Sequence, residues 1–553
     1  MRLNTVNLPP LMPDLTALDA LVIGNGRPPA LPIHLTPSRL RTLVGHASYA
    51  DDADLGRERA TNAVVAPFSG EAVAHIPSGT ETDVDQAFTR AGRAQEAWAA
   101  RPLYERAAVL LRYHDWVLNH QDEGMDLVQL ESGKTRTDAF YEVFDVATVA
   151  RHYAVQGRRI LERDGARGAI PLLTRTEVNH VPVGTVGIIA PWNYPLSMAI
   201  TDALPALLAG NAVVLKPAEQ TPLTALWAAE GLYSSGLPRD LLHVVPGEGS
   251  EIGTPIIDRA DFVCFTGSTE VGRKVGEQCG RRLIGCSLEL GGKNPMIVLD
   301  DADLDRAVEG AVVAAFSSGG QLCIAAERLY VHASLADAFA TRFAARIREM
   351  RVGPGYGWDT DMGSMVSQEQ LDKVVEHVDD AVAKGAEVLA GGKARPDLGP
   401  FFFEPTLLRG VPESAALFRE ETFGPVVSLY TFETEEEAVA LANDSDYGLN
   451  ASVWTGSVTR GLRVARRIQS GTVNVNDAYA AAWGSLDAPM GGVKQSGLGR
   501  RHGDYGLLKY TEAQTVAVQR LLPAGVPPGM LPEQFAHLAT AALRLLKHVP
   551  GLR

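Results

Sequence analysis

The sequence predicts an α/β protein built on parallel sheets covered by helices on both faces, and three observations lead there. Short apolar runs rich in β-branched residues (VGTVGIIAP, AVVLKP, DFVCFTG, NPMIVL) each end in Gly, Pro or polar residues, with helical stretches such as ALWAAEGLYSSG and VGRKVGEQCG between them. A second alternating series (RLYVHA, LADAFATRFAARIREM, GAEVLAGG, VVSLYTF) follows Cys323 and implies a second α/β domain. With 553 residues, the chain is also too long for a single hydrophobic core.

The elements follow in order. Residues 1–60 are proline-dotted and weakly periodic, and are read as an irregular N-terminal extension. From Asp83 to Val155 apolar residues recur at three- and four-residue spacing, which predicts helices. The alternating strands come next. LLPAGVPPGM (521–530) reads as a linker, and the tail after it predicts one amphipathic helix with a basic end, packed on its own protein or on a neighbouring subunit.

Composition excludes several function classes. A formal net charge of −15 argues against a nucleic-acid surface. Four cysteines without a CxxC pair argue against a zinc site or a secreted disulfide framework, and fit a reducing cytoplasm. The first residues lack a signal-peptide pattern, and no apolar run has the length of a membrane helix, so no membrane partner is expected.

Five segments carry candidate chemistry. In GGQLC, two glycines and a glutamine present Cys323 on a sharp turn; it is either a thiolate nucleophile held near N–H dipoles or a small buried side chain. In SLELGGKNP, Glu289 is either a buried general base or a strand-edge glutamate paired with Lys293. In APWNYPL, Asn193 is an oxyanion donor or a turn asparagine. Lys216 and Glu219, just past a strand's carboxyl end in AVVLKPAEQTP, suit a ribose or phosphate but also read as a solvated charge pair. In FTGSTEVG, Gly267 and Ser268 open a helix, as a phosphate site or simply as a cap.

Together and in this order, PWNYP, KPAEQTP, FTGSTEVG, LELGGKNP, GGQLC and EETFGPVV resemble the aldehyde dehydrogenase superfamily over residues 60–522. The spacing of 34 positions from Glu289 to Cys323 fits that resemblance. It implies a Rossmann-like cofactor domain (61–162 and 183–289), an α/β catalytic domain (290–487) and a small β oligomerisation arm (163–182 and 488–522), followed by a C-terminal tail (523–553). It further implies Cys323 as nucleophile, Asn193 as oxyanion donor and Glu289 as the base that activates water. Trp192, Lys216, Glu219, Gly267, Ser268, Glu421 and Phe423 match cofactor-contact positions. NAD is the expected cofactor, because Glu219 suits a ribose diol, with NADP as the alternative; no metal is implied, and a homodimer or homotetramer is expected.

The finer resemblance is to a bacterial succinate-semialdehyde dehydrogenase subgroup, carried by RLIGCSLELGGKNPMIV, DYGLNASVW, AWGSLDAPMGG and RRHGDYGLLKYTE. Against it, the positions where such enzymes place carboxylate-binding arginines hold Thr201 and Ser317. Arg328 reads as structural, and Tyr479, Trp483 and Ser485 read as a substrate wall equally suited to an aliphatic or aromatic aldehyde. Two further departures are Ser318 where the family commonly has Asn, and Arg501 where many members have a glutamate near the subunit contacts. The rival readings are a broad-specificity aldehyde dehydrogenase and, more distantly, a cofactor-free cysteine esterase.

Overall fold

A computed structural model describes residues 31–49, 59–162, 164–168, 174–520 and 525–548. Parts of the expected N-terminal extension (1–30, 50–58), arm (163, 169–173), linker (521–524) and tail (549–553) lie outside the described residues.

The described part of the expected extension contains a helix, Pro37–Val44. Thr36 caps it, Pro37 supplies the helical φ at its first turn, and Leu40, Leu43 and Val44 are buried. Arg39 on this helix is bound by Glu123 and Glu230, which pins the segment to the body. The chain is irregular there only in composition; one short amphipathic turn among prolines was too brief for its period to register. Four helices, Glu81–Ala99, Leu103–Asn119, Gln121–Ser132 and Arg136–Leu161, fill the region read as helical.

The first sheet has six strands in the spatial order Gly497–Leu498, Gly285–Glu289, Phe262–Thr266, Thr185–Ile189, Ala212–Lys216, Leu242–Val244. All neighbours are parallel except the short returning strand Gly497–Leu498. The order runs outward in both directions from Thr185–Ile189, so a crevice opens at the carboxyl ends where direction reverses. Near-continuous burial along Ala212–Lys216 is what a parallel strand with helices on both faces requires.

The second sheet has seven strands, in the order Glu387–Ala390, Thr406–Arg409, Val426–Phe432, Ala326–His332, Asn294–Val298, Asn450–Trp454, Thr472–Val475. NPMIVL therefore belongs to this sheet and not with the strands that precede it in sequence. A third, antiparallel sheet joins Asp164–Arg167, Thr174–Pro182 and Thr511–Gln519, and its last strand is exposed along nearly its whole length. The predicted C-terminal helix forms at Pro532–Leu546, and none of its residues is buried by the chain, so of the two expected packing surfaces, its own protein or a neighbouring subunit, the first does not bury it. Among the described residues no helix is long and apolar enough to cross a membrane.

Candidate active site

A cavity of about 330 Å³ lies where the carboxyl ends of three first-sheet strands meet the loop leading into the second sheet. Cys323, Glu289, Asn193, Trp192, Gly267, Ser268, Glu421 and Phe423 all line it. Lys216 and Glu219 do not. Glu219 faces an adjoining crevice at the ends of the same strands, with Gly249, Phe265, Val271 and Lys274.

The nucleophile loop explains its own sequence. Ser318, Gly319 and Gly320 take φ values of 53°, 64° and 71°, three consecutive left-handed residues. A Cβ on Gly320 would lie 2.1 Å from the carbonyl oxygen of Gly424, so only glycine passes there. Ser318 occupies a conformation that asparagine tolerates better, which gives the family's usual residue a physical basis. Serine is held instead by its backbone N–H donating to Asp138 and by its hydroxyl, 2.9 Å from that of Tyr194. Gln321 clamps the turn, donating to the carbonyls of Ser318 and Ser364 and accepting from Val366 N–H. Beyond the thiol, Asn294 donates to the carbonyls of Cys323 and Ala325, both at 2.8 Å, and is itself oriented by Asn450.

The Cys323 thiol is pushed up to about 12, first by burial and then by the Glu289 and Glu421 carboxylates. Against the expectation of a thiolate favoured by local N–H dipoles, burial, with the two acids beside it, favours the thiol. Glu289 is 8 % exposed and pushed up to about 7 by burial, against the pull of Arg501 and Lys509. Its Oε1 makes no hydrogen bond among the described residues. The alternative pairing with Lys293 is not formed, because Lys293 is taken by the buried Glu327. Glu327 also accepts the N–H groups of Thr422 and Phe423 and so fixes the segment bearing Glu421.

Asn193 donates to the Gln321 carbonyl at 3.0 Å, which ties its loop to the nucleophile loop and uses one of the amide's two N–H donors. Glu142 caps the helix after it, accepting from Leu196 and Ser197 N–H, and is neutralised by Lys134 at 2.6 Å. Lys134 also sits 3.2 Å from the centre of the Tyr194 ring. Sequence reading missed this buried pair: Lys134 stands in the short connection before the helix Arg136–Leu161 and Glu142 two turns into that helix, and nothing local marks either as buried. Trp192 meets Phe423 edge to face, ring centres 5.5 Å apart.

Lys216 is buried and donates to Glu219 at 2.9 Å, and Gly249 N–H donates to the same carboxylate oxygen at 2.7 Å. Burial opposes ionisation of Glu219, but Lys216 and these hydrogen bonds win and hold it below the usual carboxylate range. A carboxylate fixed at the end of a parallel strand, beside a glycine that leaves the space before it open, fits an adenosine ribose. Ser268 caps the helix Thr269–Arg282, accepting from Val271 N–H.

A family model described as the aldehyde dehydrogenase family matches residues 56–516. The chain belongs to the aldehyde dehydrogenase family. A protein of Mycolicibacterium smegmatis, provisionally named a succinate-semialdehyde dehydrogenase with NADP(+) as cofactor, is 50% identical over 514 residues, covering 93% of this chain and 98% of its own. A glutarate-semialdehyde dehydrogenase of Pseudomonas putida is 38% identical, covering 84% of this chain and 95% of its own. The NAD+ complex of an aldehyde dehydrogenase from Bacillus cereus superposes with a TM-score of 0.79 at 35% identity, over 83% of this chain and 93% of that one.

Within this aldehyde dehydrogenase, the substrate wall is partly as read. Tyr479, Trp483 and Thr201 line the cavity. Ser485 does not; its hydroxyl donates to the Ala481 carbonyl within the local turn. Ser317 likewise donates to the Val313 carbonyl, and Arg328 spends its guanidinium on carbonyls of Lys293, Leu441 and Ala442. Arg501, the departure from the family's usual glutamate, also lines this cavity and is buried within its own chain.

Proposed function

We propose that the enzyme oxidises a short semialdehyde, succinate semialdehyde first, to the carboxylic acid through a cysteine-bound thioester. The convergence of Cys323, Glu289 and Asn193 on one cavity carries this reading. The Cys323 sulfur attacks the aldehyde carbon while its proton passes towards Glu289. The Asn193 amide and the Cys323 backbone N–H receive the oxyanion of the thiohemiacetal. NAD(P), when bound, would supply the hydride acceptor that converts the thiohemiacetal to the thioester. Glu289, having released its proton to solvent, then takes a proton from water as that water attacks the thioester carbon; the C–S bond breaks, the acid leaves and the Cys323 sulfur is restored.

Glu421 and Phe423 would hold the nicotinamide end, Lys216 and Glu219 the adenosine ribose, and the N-terminus of helix Thr269–Arg282 the phosphates. Glu219 favours NAD, since a 2′-phosphate would meet a fixed carboxylate. The naming of the Mycolicibacterium smegmatis relative favours NADP. Lys274, in the same crevice, is paired with Glu270, and a 2′-phosphate recruits it only by breaking that pair. Glu219→Ser is expected to raise the NADP-to-NAD ratio of kcat/KM by roughly ten- to a hundredfold, about 1–3 kcal/mol; an unchanged ratio places cofactor choice elsewhere.

The exposed strand Thr511–Gln519 supports assembly into a homodimer or homotetramer, and four free cysteines suit a reducing cytoplasm. The substrate test compares kcat/KM for succinate semialdehyde, hexanal and benzaldehyde with each cofactor. Succinate semialdehyde is expected to lead by about a hundredfold or more. Equal or better use of hexanal and benzaldehyde would establish the broad-specificity alternative.

A further inference from the structure

This inference rests on the semialdehyde reading above and names the group that reads the substrate's far end. A carboxylate entering a largely enclosed cavity needs a cation, preferably the planar fork of an arginine. The two positions where one is usual hold Thr201 and Ser317, and Ser317 is turned to its own helix. We propose that Arg501 receives the distal carboxylate of the substrate.

Three observations support this assignment. Arg501 is 8 % exposed and lines the same cavity as Cys323 and Glu289, which makes it a buried cation of that cavity's wall. Its fork is only half used by strong acceptors: Nη2 is bound to Asp202, whereas Nη1 lies 2.6 Å from the thioether sulfur of Met198. A thioether is a weak acceptor, and Met198 is itself part of the cavity wall, so a carboxylate that displaces the Met198 side chain gains this side of the fork.

Charge is also unbalanced in the required direction. Asp202 is shared by Arg501 and by Lys509 at 3.0 Å, and it accepts the Tyr510 hydroxyl as well. One carboxylate thus answers two buried cations. The other acids in the cavity wall near them, Asp145 and Glu289, are each pushed up to about 7 by burial, so at neutral pH each carries only part of its charge. A substrate carboxylate would complete the set, which a buried arginine rewards and an alkyl or aryl aldehyde cannot.

Arg501 also partners Asp202, so the test must separate binding from support. Wild type, Arg501→Gln and Arg501→Lys are compared on succinate semialdehyde and on butanal, which has the same carbon chain without the carboxylate. Inhibition by succinate is measured alongside. The ratio of kcat/KM for the two aldehydes is expected to fall about a hundredfold in Arg501→Gln, mainly through KM, and about tenfold in Arg501→Lys, with weaker succinate inhibition in both. Loss on both aldehydes in parallel makes Arg501 merely the partner of Asp202 and overturns the proposal. A wild-type ratio in Arg501→Lys does the same, and that variant decides alone if Arg501→Gln does not fold. A wild-type enzyme that fails to prefer succinate semialdehyde over butanal overturns the underlying substrate reading instead.

Discussion

Cys323→Ala is expected to lower aldehyde oxidation by at least ~10⁴-fold while leaving the fold intact. The loss is large because the thiol forms the bond that makes the substrate carbon a hydride donor, and no other cysteine reaches the cavity. Cys264 is buried in a first-sheet strand beside Tyr510, and Cys279 and Cys286 lie on the helix and strand behind it. Stability should change by no more than about 1 kcal/mol, because Cys323 sits at a cavity wall and its loop is fixed by Asn294 and Gln321 through hydrogen bonds to backbone carbonyls. Reduced cofactor followed at 340 nm, together with a melting curve, checks both halves. Residual activity above about one per cent, with the fold retained, would end the thioester mechanism.

Glu289→Gln is expected to separate the two half-reactions. The carboxyl is pushed up to about 7 by burial, so it is neutral below that pH and a base above it. Turnover of the wild-type enzyme should therefore climb through about pH 7 as the carboxylate appears. With glutamine the climb disappears and steady-state turnover falls by roughly 10²–10⁴-fold. Because the Glu289 charge also helps to hold the Cys323 thiol up, its removal lets that thiol ionise at lower pH. Acylation should then survive in mildly alkaline buffer as a burst of about one reduced cofactor per site, followed by a slow phase. A Glu289→Gln enzyme with no burst but the same slow rate would show that Glu289 serves hydride-yielding acylation and not water activation.

Much of this site was legible before any coordinates. The glycines of GGQLC, the strand–glycine–helix of FTGSTEVG and the lysine and glutamate past AVVLKP each mark a local backbone requirement, and such requirements are written in consecutive residues. Less legible was anything that depended on distant segments meeting. Glu289 and Lys293 are four residues apart yet do not pair, because Glu327, far along the chain, claims the lysine. NPMIVL reads like the strands before it, yet joins the other sheet, since periodicity says that a strand is buried and not against what.

The sequence by itself determined the α/β class, the family and the residues proposed to carry the chemistry, because strand patterning, left-handed glycines and a spaced set of motifs are local properties. Only the tertiary structure decided which of them share a cavity and what surrounds them. The thiol at Cys323 is pushed up first by burial and then by two carboxyls, Glu289 and Glu421, that converge on it from separate segments. Arg501 enters the substrate cavity because the short strand Gly497–Leu498 returns beside Gly285–Glu289 and carries the following residues under the site. Burial and electrostatics sum over everything nearby in space, and neighbours in space are what a sequence does not spell out.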